Sequence, residues 1–425
     1  MSAMYLRGSK WSMKRRRQPI NYFRIFLLLL LIAIGIYINK VVIPSVPPPF
    51  VPTPTATREP ESYIVEAEGL FEQGKLLQAV EVYKEAIRIK PDEPATYVAL
   101  ARVQVFAGQY KDAQTSAENA ILLNPNNSMA HAVRGWALTQ EGDYLAAEAA
   151  VKRALELDPN NGIAHAYYAE LLGDMYLDNT GPFEAISMAG EESRVATTLA
   201  PNSLEAHRAR AFILEITDNR EDAVQEYQRA ITINSNIADL HLALGRTYKA
   251  MAVFDKAITE FTLANTLNPS DPTSSLYISR TYAAVGEFVK AAQYGEQAVK
   301  AKPTDPYLRG NWGVMLYKVP DWPNAVAQLS LAVNGGASED GKTIQPLTLT
   351  GSDIRLVEYF TTYALLLARM NRCGEVLPVA QLILANVPTD ETAVYNAQES
   401  MRICQNNLLT PSPIPQPSPG LTPTP

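Results

Sequence analysis

A proline slot recurs at a fixed interval through the middle of this chain, and that period constrains the fold more than any other feature. Prolines stand at Pro91, Pro125, Pro159, Pro201, Pro269 and Pro303, with Ser235 in the one vacant slot. The interval is about 34 residues at every step but one, the longer step from Pro159 to Pro201. Five positions before each slot is an alanine: Ala86, Ala120, Ala154, Ala196, Ala230, Ala264 and Ala298. Twelve before it is another: Ala79, Ala113, Ala147, Ala189, Ala223, Ala257 and Ala291. The surrounding apolar residues recur at helical spacing, and small alanines let two helices approach closely. A proline ends one helix and is tolerated in the first turn of the next. Gly74, Gly108, Gly142 and Gly286 fall at mid-repeat, where the chain must turn between two antiparallel helices. The unit is therefore a helical hairpin, repeated.

The stretch Ser128–Asn161, SMAHAVRGWALTQEGDYLAAEAAVKRALELDPNN, resembles a tetratricopeptide repeat, with Gly135, Leu138, Gly142, Tyr144, Ala147, Ala154 and Pro159 on that family's signature positions. The resemblance extends over nine repeats. Seven end at the slots above. An eighth runs from about Pro306 to Ala337. A ninth, from about Val357 to Asp390, carries Val376 in place of the first packing alanine. A helix over roughly Glu391–Asn406 would cap the stack, since an end repeat has no neighbour to cover its apolar face. Insertions interrupt the period near Tyr176–Pro182 and Gly335–Asp353. The fold class expected is all-α, a right-handed α-solenoid of helix-turn-helix repeats over residues 61–406.

The resemblance also implies a concave groove that binds peptides or protein segments through the first helix of each pair. Those positions hold Arg102, Phe106, Trp136, Tyr167, Arg208, Phe212, Arg246, Lys249, Tyr277, Arg280 and Tyr307. Arg246, Lys249 and Arg280 make a basic cluster suited to an acidic or carboxyl-terminal segment, since arginine pairs bidentately with carboxylates. The lysine and asparagine with which chaperone-binding members clamp a terminal carboxylate are replaced here by Ile64 and Glu68.

Outside the repeats, the segment from Met1 to Lys40 carries eight lysines and arginines and no acid; of the net charge of −7, that leaves −15 on the rest. An acidic body argues against nucleic acid as a partner. Residues 25–43 form a nearly continuous apolar run of 19, close to the ~20 needed to cross a bilayer. Lys14, Arg15, Arg16 and Arg17 precede it, which by the positive-inside rule leaves residues 1–24 in the cytoplasm and the repeats outside, single-pass. A cleaved signal peptide is the competing reading, but it wants a shorter run and a small-residue cleavage site. Residues 44–60 and 407–425 are proline-rich, a spacer and a tail unable to bury a core.

Little here suggests chemistry. Gly336–Thr343 reads GASEDGKT and fits the phosphate-loop pattern, but it follows a helical repeat, Pro346 comes soon after, and Glu339 and Asp340 oppose a bound anion; a flexible loop is expected. His131, His165, His207 and His241 share the fourth position of their repeats, which Tyr63, Tyr97 and Phe360 fill elsewhere. Stacking would hold them roughly 8–10 Å apart, so they are expected to pack and not to ligate a metal. No cofactor, metal or nucleotide site is expected. The two cysteines, Cys373 and Cys404, fall at the start of the second helix of repeat nine and near the end of the cap. Antiparallel packing would bring them together as a disulfide, against the alternative of two buried thiols. The function expected is a membrane-anchored, non-catalytic scaffold for protein–protein interaction outside the cytoplasm. The alternative is an accessory or regulatory subunit of a cell-envelope enzyme or polymer-export complex.

Overall fold

The structure, a computed structural model, describes residues 21–42 and 58–409 and divides into two units, 1–58 and 59–425. In the first unit, helix α1 (Tyr22–Tyr37) starts at Asn21, whose side chain accepts from the Arg24 amide, and runs into a π turn over Ile38–Val42. Tyr22–Val41 has a mean hydropathy of 2.1 over 20 residues and is long and apolar enough to cross a membrane. It begins slightly before the expected span, at Tyr22 where Ile25 was the first residue expected. The Lys14–Arg17 cluster, most of the proline-rich spacer and nearly all of the tail lie outside the described residues.

The second unit is an α-solenoid of nine helix pairs and a terminal helix. The pairs are α2 (Pro60–Glu72) with α3 (Leu76–Ile89), α4 (Pro94–Phe106) with α5 (Tyr110–Leu123), α6 (Ser128–Glu141) with α7 (Tyr144–Leu157), and α8 (Gly162–Leu177) with α9 (Ala185–Leu199). Next come α10 (Leu204–Ile216) with α11 (Arg220–Ile233), α12 (Ala238–Ala250) with α13 (Phe254–Leu267), and α14 (Pro272–Ala284) with α15 (Phe288–Ala301). The last are α16 (Pro306–Lys318) with α17 (Trp322–Asn334) and α18 (Ile354–Arg369) with α19 (Cys373–Asn386), then the cap α20 (Glu391–Leu409). Each first helix packs on its own partner, on the preceding second helix, and, in much of the stack, on the next first helix.

The recurring residues do what their chemistry dictates. All fourteen alanines of the two series are at most 1% exposed, so they sit where the helices touch. Residues before the slots, such as Asn124 (φ −141, ψ 93) and Asp158 (φ −145, ψ 95), take the extended conformation that a following proline enforces. Asn234 adopts the same geometry before Ser235, so the slot needs the shape more than the ring. Repeats eight and nine keep the small-residue contact by different means: Ala325 and Ala332 are fully buried, while Val376 and Ile383 replace the pair in repeat nine.

The stack also closes on itself. Ala67, Phe71, Val80, Leu100 and Val103 of repeats one and two share one apolar cluster with Leu204, Ala230, Ile237 and Leu240 of repeats five and six. The Asn234 side chain donates to the Phe71 carbonyl at 3.3 Å, and that of Asn236 to the Glu72 carbonyl at 2.8 Å. Gly74 serves this contact as well as its own turn: its φ is +72, and a Cβ there would stand 2.2 Å from the Asn236 carbonyl oxygen. The first six repeats therefore form nearly one full turn of a tight coil.

At the other end, α20 lies along both helices of repeat nine and buries Ala393, Ala397, Ser400 and Cys404 against them. Cys373, the first residue of α19, is bonded to Cys404 with Cα atoms 5.4 Å apart. Replacing both cysteines with alanine should release the cap. Loss of the 31-residue loop closure should lower its opening free energy by about 2–4 kcal/mol. In hydrogen exchange, amides of Glu391–Leu409 should then open roughly 30- to 800-fold more readily. Protection equal to that of the unaltered chain would show that packing alone holds the helix.

Candidate interaction surface on the inner face

The first helices turn one face to the inside of the coil, and the side chains on it decide what that surface can do. In the first half of the stack an aromatic ladder runs along it. Phe71 lies 5.5 Å from Phe106, Phe106 meets Trp136 edge-on at 4.9 Å, and Trp136 stacks on Tyr167 at 4.5 Å. Trp136 and Tyr167 are 1% and 0% exposed, and Phe212 is half-buried against the same cluster. Two guanidiniums lie over the ladder, Arg102 at 4.7 Å from the Phe71 ring and Arg208 at 4.8 Å from Trp136.

Both arginines are neutralised from within. Arg102 Nε donates to Glu205 at 2.5 Å across 103 residues of chain. Arg208 pairs with Glu170 and, at 3.0 Å, with Asp239. Burial pushes the Glu170 carboxyl up to about 7 against the pull of Arg208, and burial holds Asp174, one turn along α8, at about 6. Between the turn of repeat one and the loops after repeats five and six, a cavity of about 620 Å³ remains, lined in part by Tyr110, Gln140, Asn236 and Asp271.

Further along the stack the balance changes. Arg246 lies 3.6 Å from Glu215, the only carboxylate within salt-bridge distance of it among the described residues. Lys249 Nζ sits 5.7 Å from the centre of the Tyr277 ring, and no carboxylate pairs with it among the described residues. Arg280 lies 5.1 Å over the Tyr307 ring and donates from Nε to Asn311 Oδ1 at 3.3 Å and from Nη2 to the Tyr359 hydroxyl at 3.2 Å. Tyr307 and Tyr359 meet edge-on at 5.4 Å. Burial, then the charges of Arg280 and Arg355, push the Lys249 ammonium down to about 8. The inner face of repeats six to nine thus carries two half-buried cations, Lys249 and Arg280, that no acidic side chain among the described residues compensates.

Sequence reasoning missed the internal carboxylates and the outer members of this cluster. Glu170 shares the ninth position of its repeat with Arg102, Trp136, Phe212, Arg246 and Arg280, so a comparison down that column would have found a charge of opposite sign. Glu205, Asn311, Tyr359 and Arg355 occupy no common position, and only the coiling brings them in.

The histidines do more than pack. His165 Nδ1 meets a Glu192 oxygen at 2.5 Å and its Nε2 meets the Pro159 carbonyl at 3.0 Å. His207 bridges Glu226 and the Pro201 carbonyl at 2.6 and 2.8 Å, and His241 bridges Glu260 and the Ser235 carbonyl at 2.7 and 2.9 Å. Both ring nitrogens face acceptors, so both are satisfied only when both carry a proton. The pKa of each is raised accordingly. For His165 and His207 the glutamate hydrogen bond is the main cause; at His241 burial is the largest influence and opposes, and Glu260 with the Ser235 carbonyl overcomes it. His131 keeps only the bond to the Pro125 carbonyl, at 3.0 Å. Arg309 fills the fourth position in repeat eight and makes the same pair of bonds, to the Pro303 carbonyl at 2.8 Å and to Gln328 at 2.6 Å.

The phosphate-loop pattern lies in a two-stranded hairpin, in which Gly336–Ala337 pairs with Thr343–Ile344. Lys342 is held by Asp340 at 2.9 Å, and the next helix begins only at Ile354. The segment has neither the preceding buried strand nor the following helix N-terminus that phosphate binding requires.

A family model described as tetratricopeptide repeat matches residues 98–162 and 236–306, and one described as TPR repeat matches residues 69–105. No curated protein matches the chain. Among solved structures, the human IFIT1 dimer with PPP-AAAA is similar at 15% identity and a TM-score of 0.51, over 81% of this chain and 82% of that one. At that identity the likeness concerns the fold alone. MamA is similar at 25% identity over 40% of this chain and 94% of its own, with a TM-score of 0.32. A tetratricopeptide repeat protein from Parabacteroides merdae is similar at 17% identity over 60% and 98%, with a TM-score of 0.39.

The histidine clamps make stability depend on pH. A histidine whose folded pKa lies above its unfolded value of about 6.5 stabilises fully below that value, and the contribution is lost as pH rises through the folded pKa. The stability difference between the chain and a His165→Gln, His207→Gln, His241→Gln variant should therefore be larger at about pH 5.5 than at about pH 8.5. Ionisation of Glu170 and Asp174 also lowers stability as pH rises, but it affects both proteins alike and cancels in the difference. Urea unfolding at the two pH values measures it; a difference independent of pH would mean that the rings are neutral in the folded state.

Proposed function

Because the chain is a tetratricopeptide-repeat protein with an N-terminal helix long and apolar enough to cross a membrane, we propose that it is a membrane-anchored scaffold that docks acidic protein segments outside the cytoplasm. The observation that carries this reading is the contrast along the inner face. Arg102, Arg208 and Arg246 have carboxylates of the chain itself, whereas Lys249 and Arg280 have none among the described residues. Half-buried cations without counter-charges are costly unless a partner supplies them. Tyr277 and Tyr307 beside them offer flat, rigid contact surface for the backbone of a bound segment. The acidic body, at −15 beyond Lys40, speaks against nucleic acid. The reading is non-catalytic, since the fold is one of binding surfaces.

The extracytoplasmic placement rests on the basic residues before the apolar helix and is supported by the bonded cysteines, which persist in oxidising compartments. A cysteine introduced at the exposed Asn126, in the loop between repeats two and three, should react with a membrane-impermeant thiol reagent on intact cells. Labelling only after lysis would reverse the orientation.

For the docking site, Lys249→Glu with Arg280→Glu should weaken binding of a fluorescent glutamate-rich peptide by about tenfold or more, with helicity unchanged. Arg153→Glu on the exposed outer surface should change it little. Equal binding by the two variants would remove the inner face from the reading. Affinity purification from solubilised membranes then separates the scaffold, with several unrelated partners, from an accessory subunit with one dominant enzyme.

A further inference from the structure

We infer that a cleft shared by repeats one to six is a second docking site, of opposite sign to the first. It takes an extended segment of a partner protein, with apolar side chains against Ala99, Met129, Ile163 and Ile233 and a lysine or arginine against Glu68 and Glu72. The inference goes beyond the docking of acidic segments and does not rest on it.

Closure of the coil creates the cleft. It holds about 950 Å³ beside the closed core, lined from α2, α3 and α4, the starts of α6 and α8, and the chain before α10 and α12. Part of the lining is apolar and reached by solvent: Ala99, Met129 and Ile163 are half-buried, and Ile233 is 45% exposed. Glu68 and Glu72 line it too. They stand four residues apart on α2, so they share a face of that helix, and both are exposed. The neighbouring cations are engaged elsewhere, Lys84 with Glu81, Arg88 with Glu85 and Arg102 with Glu205. No cation among the described residues pairs with Glu68 or Glu72.

A buried hydroxyl completes the site. Tyr83 lines the cleft, is 3% exposed and makes no hydrogen bond among the described residues. Burial, then the charge of nearby Glu68, push its pKa up to about 12, so it stays a neutral hydroxyl. A buried hydroxyl calls for a partner, and the carbonyls of a peptide main chain can accept from it. Charge at longer range sets the sign. Residues 58–237 carry 28 acidic and 15 basic side chains, and residues 238–409 carry 16 and 14. The cleft lies in the acidic half, whose field draws a basic segment in and turns an acidic one away. Exposed ion pairs contribute little, so the apolar contacts supply the affinity and the glutamates select the charge. With the cations of repeats six to nine, the chain then holds a basic and an acidic segment at once.

The test uses the full chain in nanodiscs of neutral phospholipid and a fluorescent peptide of four apolar residues followed by two arginines, read by anisotropy. A peptide with the same apolar residues and two glutamates should bind at least about tenfold more weakly. Glu68→Gln with Glu72→Gln should weaken the arginine peptide about two- to thirtyfold, the worth of two exposed ion pairs, with helicity unchanged. Lys249→Glu with Arg280→Glu should not weaken it. A benzophenone on an apolar residue of the peptide should cross-link to Met129 or to residues 95–103, located by mass spectrometry. Equal binding of the arginine and glutamate peptides, no effect of the glutamine pair, or cross-links confined to the outer second helices would each overturn the inference. Any of these leaves the first site standing, because that site is read with the glutamate-rich peptide and the Lys249 and Arg280 variant.

Discussion

The stack depends on how closely two helices approach at a pair of alanines. Ala79 and Ala86, and their counterparts in the next six repeats, present only a methyl group to the neighbouring helix, and none of them is more than 1% exposed. That contact fixes the geometry of each hairpin, and the hairpin cannot bury its apolar face without a neighbour. Because every pair meets the next in nearly the same way, a small rotation per repeat adds up. Within six repeats it returns the chain to its own beginning, where Phe71, Gly74 and Arg102 meet Asn234, Asn236 and Glu205.

That return divides the inner face into two chemical regimes. Where the coil closes, the concave surface is no longer a groove but a core, and charges within it must be met by charges of the chain. Breaking a pair such as Arg102 with Glu205 or Arg208 with Glu170 would strand a buried ion, which costs far more than the pair contributes. The aromatic ladder from Phe71 to Tyr167 is then a structural spine and not a peptide platform. Repeats seven to nine have no later turn to return against them. Their inner face and the end of the first helix of repeat six keep Arg280 and Lys249 beside tyrosines, and the amide and hydroxyl partners of Arg280 orient it without cancelling its charge.

The repeat, its nine copies and the cap were legible because each rests on contacts between residues less than a repeat or so apart, and period reports such contacts directly. Pro91 to Pro303 mark the ends of hairpins whether or not the stack coils. Closure was not legible, since it sums small rotations that no single repeat displays. Arg102 and Glu205 stand 103 residues apart on unrelated positions. The inner-face list mixed the two regimes for this reason: Trp136 and Arg280 share the ninth position, but one is core and the other faces the open end. The histidines failed to declare themselves for a different reason. Tyr63, Tyr97 and Phe360 at the same position suggested bulk, and the demand that distinguishes the histidines is for two donors, which Arg309 satisfies as well.

Those donors connect local and global structure. The carbonyls they hold belong to the slots between repeats, at Pro159, Pro201, Ser235 and Pro303. Asn234 and Asn236, which dock the coil onto repeat one, flank Ser235, whose carbonyl accepts from His241. Glu205, which receives Arg102, lies just after Pro201, and the Pro201 carbonyl accepts from His207. The loops that close the coil are therefore the loops that histidines fasten to the second helices of their own repeats. Repeat eight lies outside the closure and uses a guanidinium, whose charge does not titrate in the physiological range. The one position thus carries a pH-dependent fastening where the coil must hold against itself and a permanent one where it stands open.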